Sequence, residues 1–369
     1  MALRFEAYTA QHVDAVRAFN QRIAPWIDDP DLAFAEHPLD MWLPHGANPD
    51  IFQETYLALE DDAVRGGYVL KHQEFAVNGE VRRVSSYRLP LSEGIVDRNY
   101  VSVGLLTLRH ALSLQPLLFS LGMGSMDRPV VKMQKAAGWS QYGVPFYFRV
   151  VKGSAFLRNI APLRTSPARR LVADVAAATG LGSLAFGAIR LVRRAPVSGS
   201  AERVLKFGPW ADELWERCRG QYKLIAVRDQ RIANILYPEN DARFLRWKVT
   251  VGGRVAGWAV CLNTPMHGHK QFGEMRVATI VDCLAEPQDA ALVIGAVTRE
   301  LEREGADLII SNQMHASWSG ALHAAGFFPG PTNFIFSASK KLAAALAPWD
   351  EGVVAGHINR GDGDGPVHL

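Results

Sequence analysis

The chain has 369 residues, 48% of them hydrophobic and 21% charged, a length and composition that fit two globular domains and exclude a disordered chain. Forty Lys+Arg against 37 Asp+Glu leave a formal charge of +3, without the basic excess of a nucleic-acid binder. Three cysteines, Cys218, Cys261 and Cys283, are odd in number and form no Cys-x-x-Cys pair, which argues against a disulfide framework or a cysteine zinc site; they read as small buried residues.

The first residues mix acidic and basic side chains and show no signal-peptide pattern, so the expected location is cytoplasmic. A helix is expected at 10–22, then a proline-bearing stretch to Pro49. Strands follow at 56–63 and 68–77, with Gly66-Gly67 read as the turn between them. Asn78-Gly79 has the sequence of a type I′ hairpin turn, returning the chain through 81–89. Residues 93–100 (EGIVDRNY) form a dense polar patch among apolar strands, at a cleft or at an edge. After 101–111 come a short apolar run at 116–121, a helix at 128–137 ended by Gly138, and a strand at 144–150.

Residues 171–192 reach membrane length, but three glycines, Asp174 and many alanines make the segment weakly hydrophobic. It reads as an apolar helix in a linker spanning 153–204, packed between domains, with peripheral membrane contact as the alternative. Arg169, Arg170, Arg193 and Arg194 flank it and suit a domain seam or acidic lipid.

The second half repeats the plan of the first. A helix at 210–219 precedes strands at 243–251 and 254–262 joined by Gly252-Gly253, and another strand is expected at 274–284. Apolar residues at Ala290, Leu292, Val293, Val297 and Leu301 make one face of a helix over 289–304. A short buried strand at 306–311, a helix at 317–325 capped by Gly326 and a strand at 333–338 complete the series. After Gly352 glycine and charge dominate, so a loose tail is expected over 343–369.

A strand pair, a long central strand, a helix, a short strand, a helix ending Ala-Ala-Gly-aromatic and a final strand resemble the GNAT (Gcn5-related N-acetyltransferase) superfamily. The helix ending occurs twice, as Ala136-Ala137-Gly138-Trp139 and Ala324-Ala325-Gly326-Phe327. The resemblance implies an α/β (α+β) protein of two tandem domains, 1–152 and 205–342, each a mixed, mostly antiparallel twisted sheet with flanking helices. Tandem arrangements of this kind are similar to Fem-type aminoacyltransferases and to acyltransferases of envelope polysaccharides.

That resemblance implies an acyltransferase moving an acyl group from acetyl-CoA or another acyl-CoA to an amine or hydroxyl of a small molecule or glycan precursor, with no metal. The alternatives are a catalytically silent scaffold or binding module and a Fem-like aminoacyl transferase. The family holds the CoA pyrophosphate on a Gln/Arg-x-x-Gly-x-Gly/Ala loop opening the helix after the central strand. The matching loops, 285–289 in the second half and 108–114 in the first, lack glycine, and Glu286 and Asp289 place acids on the former. Gly122-Met123-Gly124 reads as a turn or as an anion site. The helix over 289–304 favours a donor pocket in the second half, beside Val281, Cys283, Leu284 and Asn312. In the first half the expected helix, 107–114, is short.

By position in such a fold, Glu274 is the expected general base. Asp282, at even spacing, is expected on the same strand face, and His315 or Ser317 is placed to reprotonate the leaving thiol. Partial burial would raise the carboxylate's pKa toward neutrality. Each has a plainer reading: surface carboxylates, an N-cap for Ser317, a local loop amide for Asn312. His267-Gly268-His269 has the spacing of a metal pair, with His315 as an imaginable third ligand, but reads better as a polar loop.

Overall fold

A computed structural model of the chain describes residues 3–27, 32–38, 43, 50–179 and 199–363. It divides into two compact units, neither contiguous in sequence: 1–143 with 335–352, and 144–334 with 353–369.

In unit 1, β1 (Arg4–Ala7), α1 (Val13–Ile23), β2 (Ile51–Glu60), β3 (Ala63–Val77) and β4 (Glu80–Ser92) lead into α2 (Val101–Leu114), β5 (Leu118–Met123) and α3 (Pro129–Ala136). The strands run in the order β1-β2-β3-β4-β5, antiparallel until β4 and β5, which are parallel. Asn78 and Gly79, at φ 51° and 83°, make the hairpin turn that their sequence announces. Gly66-Gly67 do not turn the chain; Asp61-Asp62 do, and the glycines lie inside β3. A Cβ on Gly66 would stand 2.6 Å from the Leu91 carbonyl oxygen, and one on Gly67 would strike that of Tyr56. One side of the sheet packs on α1 through Val16, Phe19, Leu57 and Leu59, and another cluster joins Tyr68, Leu70 and Tyr87 to Leu108 and Ala111 of α2.

Unit 2 comprises the later part of β6 (Ser140–Val150), then α4 (Gly153–Asn159), α5 (Pro167–Ala178), β7 (Ser200–Arg203), α6 (Trp210–Cys218), β8 (Leu224–Ala226) and α7 (Gln230–Leu236). After these come β9 (Leu245–Val251), β10 (Arg254–Pro265), β11 (Arg276–Ala285), α8 (Ala290–Arg303), β12 (Leu308–Asn312) and α9 (Ala316–Ala324). Its sheet runs β7-β9-β10-β11-β12-β6, again antiparallel except for one parallel pair, β11 and β12. Two strands joined by a tight turn, then a central strand whose next partner is parallel, describe β2-β3-β4-β5 and β9-β10-β11-β12 alike. The tandem reading stands on that shared order.

β13 (Phe328–Ala338) begins in unit 2 and ends in unit 1, where α10 (Lys340–Ala345) and most of α11 (Trp349–Val354) lie. There Phe336 packs on Phe119, and Leu118 N–H donates to the Ser339 hydroxyl at 3.1 Å.

Two expectations need correction. As far as residue 363, where the described residues end, the tail is not loose: His357, Ile358, Asn359, Arg360 and Asp362 are buried, and β14 (Gly356–His357) pairs with β8. Glycine and charge hid a segment in which Asn359 and Asp362 find hydrogen-bond partners inside the protein. The apolar stretch 171–192 is described only to residue 179, the rest lying outside the described residues. Over its described part α5 buries Ala173 and Ala177 but leaves Leu171 66% and Val172 69% exposed, so this part is not a buried apolar helix. Among the described residues no helix is long and apolar enough to cross a membrane.

Candidate functional site

Each unit carries a point where its two parallel strands part. In unit 2 the pairing of β11 with β12 ends at Ile280 and Ser311, while β11 runs on to Ala285. Asp282 pairs with Val260 and Ile280 with Cys261, so Val281 is an extra, bulged residue. In unit 1 the pairing of β4 with β5 ends at Ser86 and Phe119, and β4 has its own bulge. Gly67 pairs with Leu91 and Val69 with Arg88, which sets Leu89 and Pro90 against Tyr68. Leu89 takes φ 45° there.

The two partings are filled differently. In unit 2 the segment 356–362 joins β11 to the end of β12. Asn359 Nδ2 donates to Asp282 Oδ1 at 2.7 Å, Met314 N–H donates to the Ile358 carbonyl at 3.0 Å, and Gln313 forms a bridge with Asn359. Asp282 is fully buried and also accepts from Arg228 Nε at 2.9 and 3.1 Å, Tyr237 Oη at 2.7 Å and the Cys283 N–H at 2.8 Å. Arg228 Nη2 reaches Asp362 at 2.8 Å. Gly361 sits in the middle, where a Cβ would meet Tyr237 Oη at 2.5 Å and the Asp282 Cβ at 2.9 Å. Val281, Cys283, Leu284 and Asn312, the expected donor contacts, are all buried, and Cys283 Sγ accepts from Gln313 Nε2 at 3.4 Å. Burial pushes the Cys283 thiol up, as it does Cys261, and raises Cys218 to about 12.

The expected catalytic residues do not converge. Glu274 lies in the turn before β11, with its side chain 62% exposed; Gly268 N–H donates to it at 2.6 Å and His267 Nδ1 lies 3.2 Å away. Those bonds, the Gly268 N–H first, hold its pKa below the ordinary value, the opposite of the rise expected for a base. Even spacing to Asp282 does not give a shared face, because Glu274 is off the strand and the Val281 bulge breaks the alternation. His315 is the N-cap of α9, its Nδ1 accepting the Ser317 N–H at 3.1 Å, so the cap is the histidine and not Ser317. Burial pushes His315 down to about 4, leaving it neutral near pH 7. His269 Nδ1 accepts from the Gln271 and Phe272 N–H groups, and no group of three metal-ligating side chains occurs among the described residues.

Unit 1 is arranged otherwise. Leu89 and Pro90 at its bulge and Ser120 on β5 are half-buried, and Gly122 is exposed. The expectation of a short helix fails: α2 has 14 residues, the same as α8. Its buried Val103, Thr107, Leu108 and Ala111 form a helical stripe that the sequence displays, and the loop before it is the polar patch 93–100, not 108–114. Glu93 is buried between Arg22 at 2.8 Å and Arg65 at 3.0 Å, and Tyr100 Oη donates to Glu60 at 2.9 Å. A Cβ on Gly94 would stand 2.8 Å from the Tyr100 carbonyl oxygen, which explains the glycine. The loop is thus fixed, and it delivers an N terminus of α2 with no side-chain cap, no acid in its first turn and Val101 64% exposed. By contrast Asp289 and Glu286 precede α8, each paired with an arginine: Asp289 with Arg254 at 2.7 Å and Glu286 with Arg217 at 3.2 Å.

No family model and no curated protein matches the chain. Solved structures do. A GCN5-related N-acetyltransferase from Anabaena variabilis superposes with a TM-score of 0.55 at 10% identity, over 94% of this chain and 74% of that one. Saccharomyces cerevisiae N-myristoyltransferase with bound myristoyl-CoA gives 0.53 at 10% identity, over 90% and 82%. A tandem GNAT protein from the clavulanic acid biosynthesis pathway gives 0.50 at 12% identity, over 91% and 98%. The fold of this chain is therefore that of the GNAT superfamily acyltransferases, in a tandem form.

Proposed function

We propose that the protein is an acyltransferase that takes its acyl group from acyl-CoA and that the donor binds in unit 1, not in unit 2. The observation that carries this reading is the contrast between the two partings. One is threaded by the chain's own residues 356–362 around buried Asp282, and the other retains half-buried strand ends beside an uncapped, acid-free helix N terminus. Backbone N–H groups in the first turn of α2 and the positive end of its dipole suit the CoA diphosphate. The arm of the donor then runs between β4 and β5 toward the Leu89–Pro90 bulge, where backbone groups released from the ladder face the thioester carbonyl.

In the reaction the acceptor's amine or hydroxyl forms a bond to the acyl carbon, the carbon–sulfur bond breaks, and the CoA thiolate takes up the proton the acceptor loses. The acceptor is a small molecule or a glycan precursor. Unit 2 keeps the fold as a scaffold without a donor of its own, which the acids ahead of α8 favour.

Calorimetric titration with acetyl-CoA and with longer acyl-CoAs tests this. One site per chain is expected, and absence of heat with every donor, together with no thermal shift, would refute the acyl-CoA reading.

A further inference from the structure

Among the described residues unit 2 buries four arginines: Arg149 pairs with Glu302, Arg246 donates to backbone carbonyls, and the two deepest, Arg228 and Arg360, are treated differently. Arg228 is matched by two carboxylates, Asp282 and Asp362, and its Nη1 donates to the Ala226 carbonyl at 3.1 Å. Arg360 is as deeply buried, 1% exposed, yet no Asp or Glu lies within ion-pair distance of it among the described residues. Its Nη1 donates to Asn312 Oδ1 at 3.3 Å, while Nε is buried without a hydrogen-bond partner. The Phe334 ring lies 5.0 Å from the guanidinium carbon and covers one face.

Burial without a counter-ion pulls the Arg360 pKa down to about 10, whereas Asp282 and Asp362 hold that of Arg228 up against the same desolvation. An unpaired buried charge and a buried donor left without a partner both oppose folding. A buried charged donor without a partner is one place where a bound ion or ligand completes the hydrogen bonding.

The shape of the vacancy defines the ligand. With Nη1 engaged and one face covered by Phe334, the edge formed by Nε and Nη2 remains, two parallel N–H directions that match a planar carboxylate. Asn312 Nδ2 donates to Asn333 Oδ1 at 2.9 Å, which leaves the Asn333 amide nitrogen to donate. Asn333 is half-buried and follows exposed Pro331 and Thr332, so this end of the cluster lies near the surface on β13. One guanidinium between two neutral amides balances one negative charge, not the two of a phosphate.

We propose that the Nε–Nη2 edge of Arg360, with Asn312 and Asn333, binds a carboxylate-bearing ligand. The site lies in unit 2 and stands whether or not the chain transfers acyl groups, since binding alone reads it out.

The test follows the arginine Nε–H resonances of the full-length protein labelled with nitrogen-15 arginine, titrated with succinate and with acetate at ionic strength fixed by sodium chloride. The resonance lost in Arg360→Lys should move saturably with either carboxylate, and Asn333→Ala should raise the dissociation constant about fivefold. A linear drift equal to that with chloride, or a stronger response to inorganic phosphate, would overturn the proposal. Should Arg360→Lys fail to fold, the wild-type melting temperature against succinate at the same ionic strength decides. A saturable rise that Asn333→Ala weakens supports the site, and no rise refutes it.

Discussion

Units 1 and 2 share a strand order and a bulged central strand, yet they spend those features in opposite ways. At the parting in unit 2, Val281, Cys283 and Leu284 are completely buried and Asp282 is the hub of a network built with residues 356–362. The corresponding positions of unit 1, Leu89 and Pro90, keep partial exposure, and Glu93 is tied to arginines back in the loop instead. The same fold point is structural in one unit and accessible in the other. A carboxylate at the right position on a central strand is therefore a poor guide to catalysis until its partners are known.

The sharpest way to break that contrast is Asp282→Ala. It strands Arg228 and removes the acceptor for Tyr237 and Asn359, so urea unfolding should show a loss of about 3–5 kcal/mol. A loss below 1 kcal/mol would mean the network is not holding the segment.

A pair of glycine substitutions comes next. Gly361→Ala places a methyl between Tyr237 and Asp282 and should cost about 1–3 kcal/mol, whereas Gly122→Ala has nothing within 4 Å and should stay within about 0.5. Equal melting temperatures for the two variants would remove the distinction between a filled parting and an open one.

Acid stability offers a third comparison. His315 is held near 4 against an ordinary 6.5, so between those values the unfolded chain binds a proton that the folded chain does not. Its contribution is complete above pH 6.5 and is lost as pH falls toward 4. After allowance for its partial solvent contact this amounts to about 1–2 kcal/mol. Fully buried His357 pushes in the same direction. His315→Asn, which can still cap α9, should flatten that part of the acid limb of a stability–pH curve. The smallest effect belongs to Glu274→Ala: removal of an exposed carboxylate in a turn should leave the urea midpoint unchanged.

Much of the fold was legible because local chemistry and global structure agree. Asn78-Gly79 and Gly252-Gly253 turn the chain at positive φ, and the apolar stripe of 290–301 forms the expected helix. The α2 stripe from Val103 to Ala111 is equally visible, although only its C-terminal half, 107–114, is expected as helix from the position of a donor loop. The parting in unit 2 was not legible. A one-residue bulge leaves no mark in a run such as Thr279-Ile280-Val281-Asp282, and together with Glu274 lying off the strand it undoes the inference from even spacing. Nor does sequence separation reveal that Asp282 meets Arg228, Asn359 and Gly361. Gly361 and Asp362 looked like loose-tail residues because their partners are distant along the chain.

The central claim, that the donor sits on unit 1, is tested most directly by placing one acid in the first turn of each 14-residue helix. Ser102→Glu and Ala291→Glu both alter exposed second residues, and a carboxylate there leaves a helix as stable as before or more so. Titration with acetyl-CoA should show affinity reduced at least about tenfold in Ser102→Glu by repulsion of the diphosphate, and unchanged in Ala291→Glu. The reverse pattern, with Ala291→Glu weakened and Ser102→Glu unaffected, would place the donor on unit 2 and contradict the account.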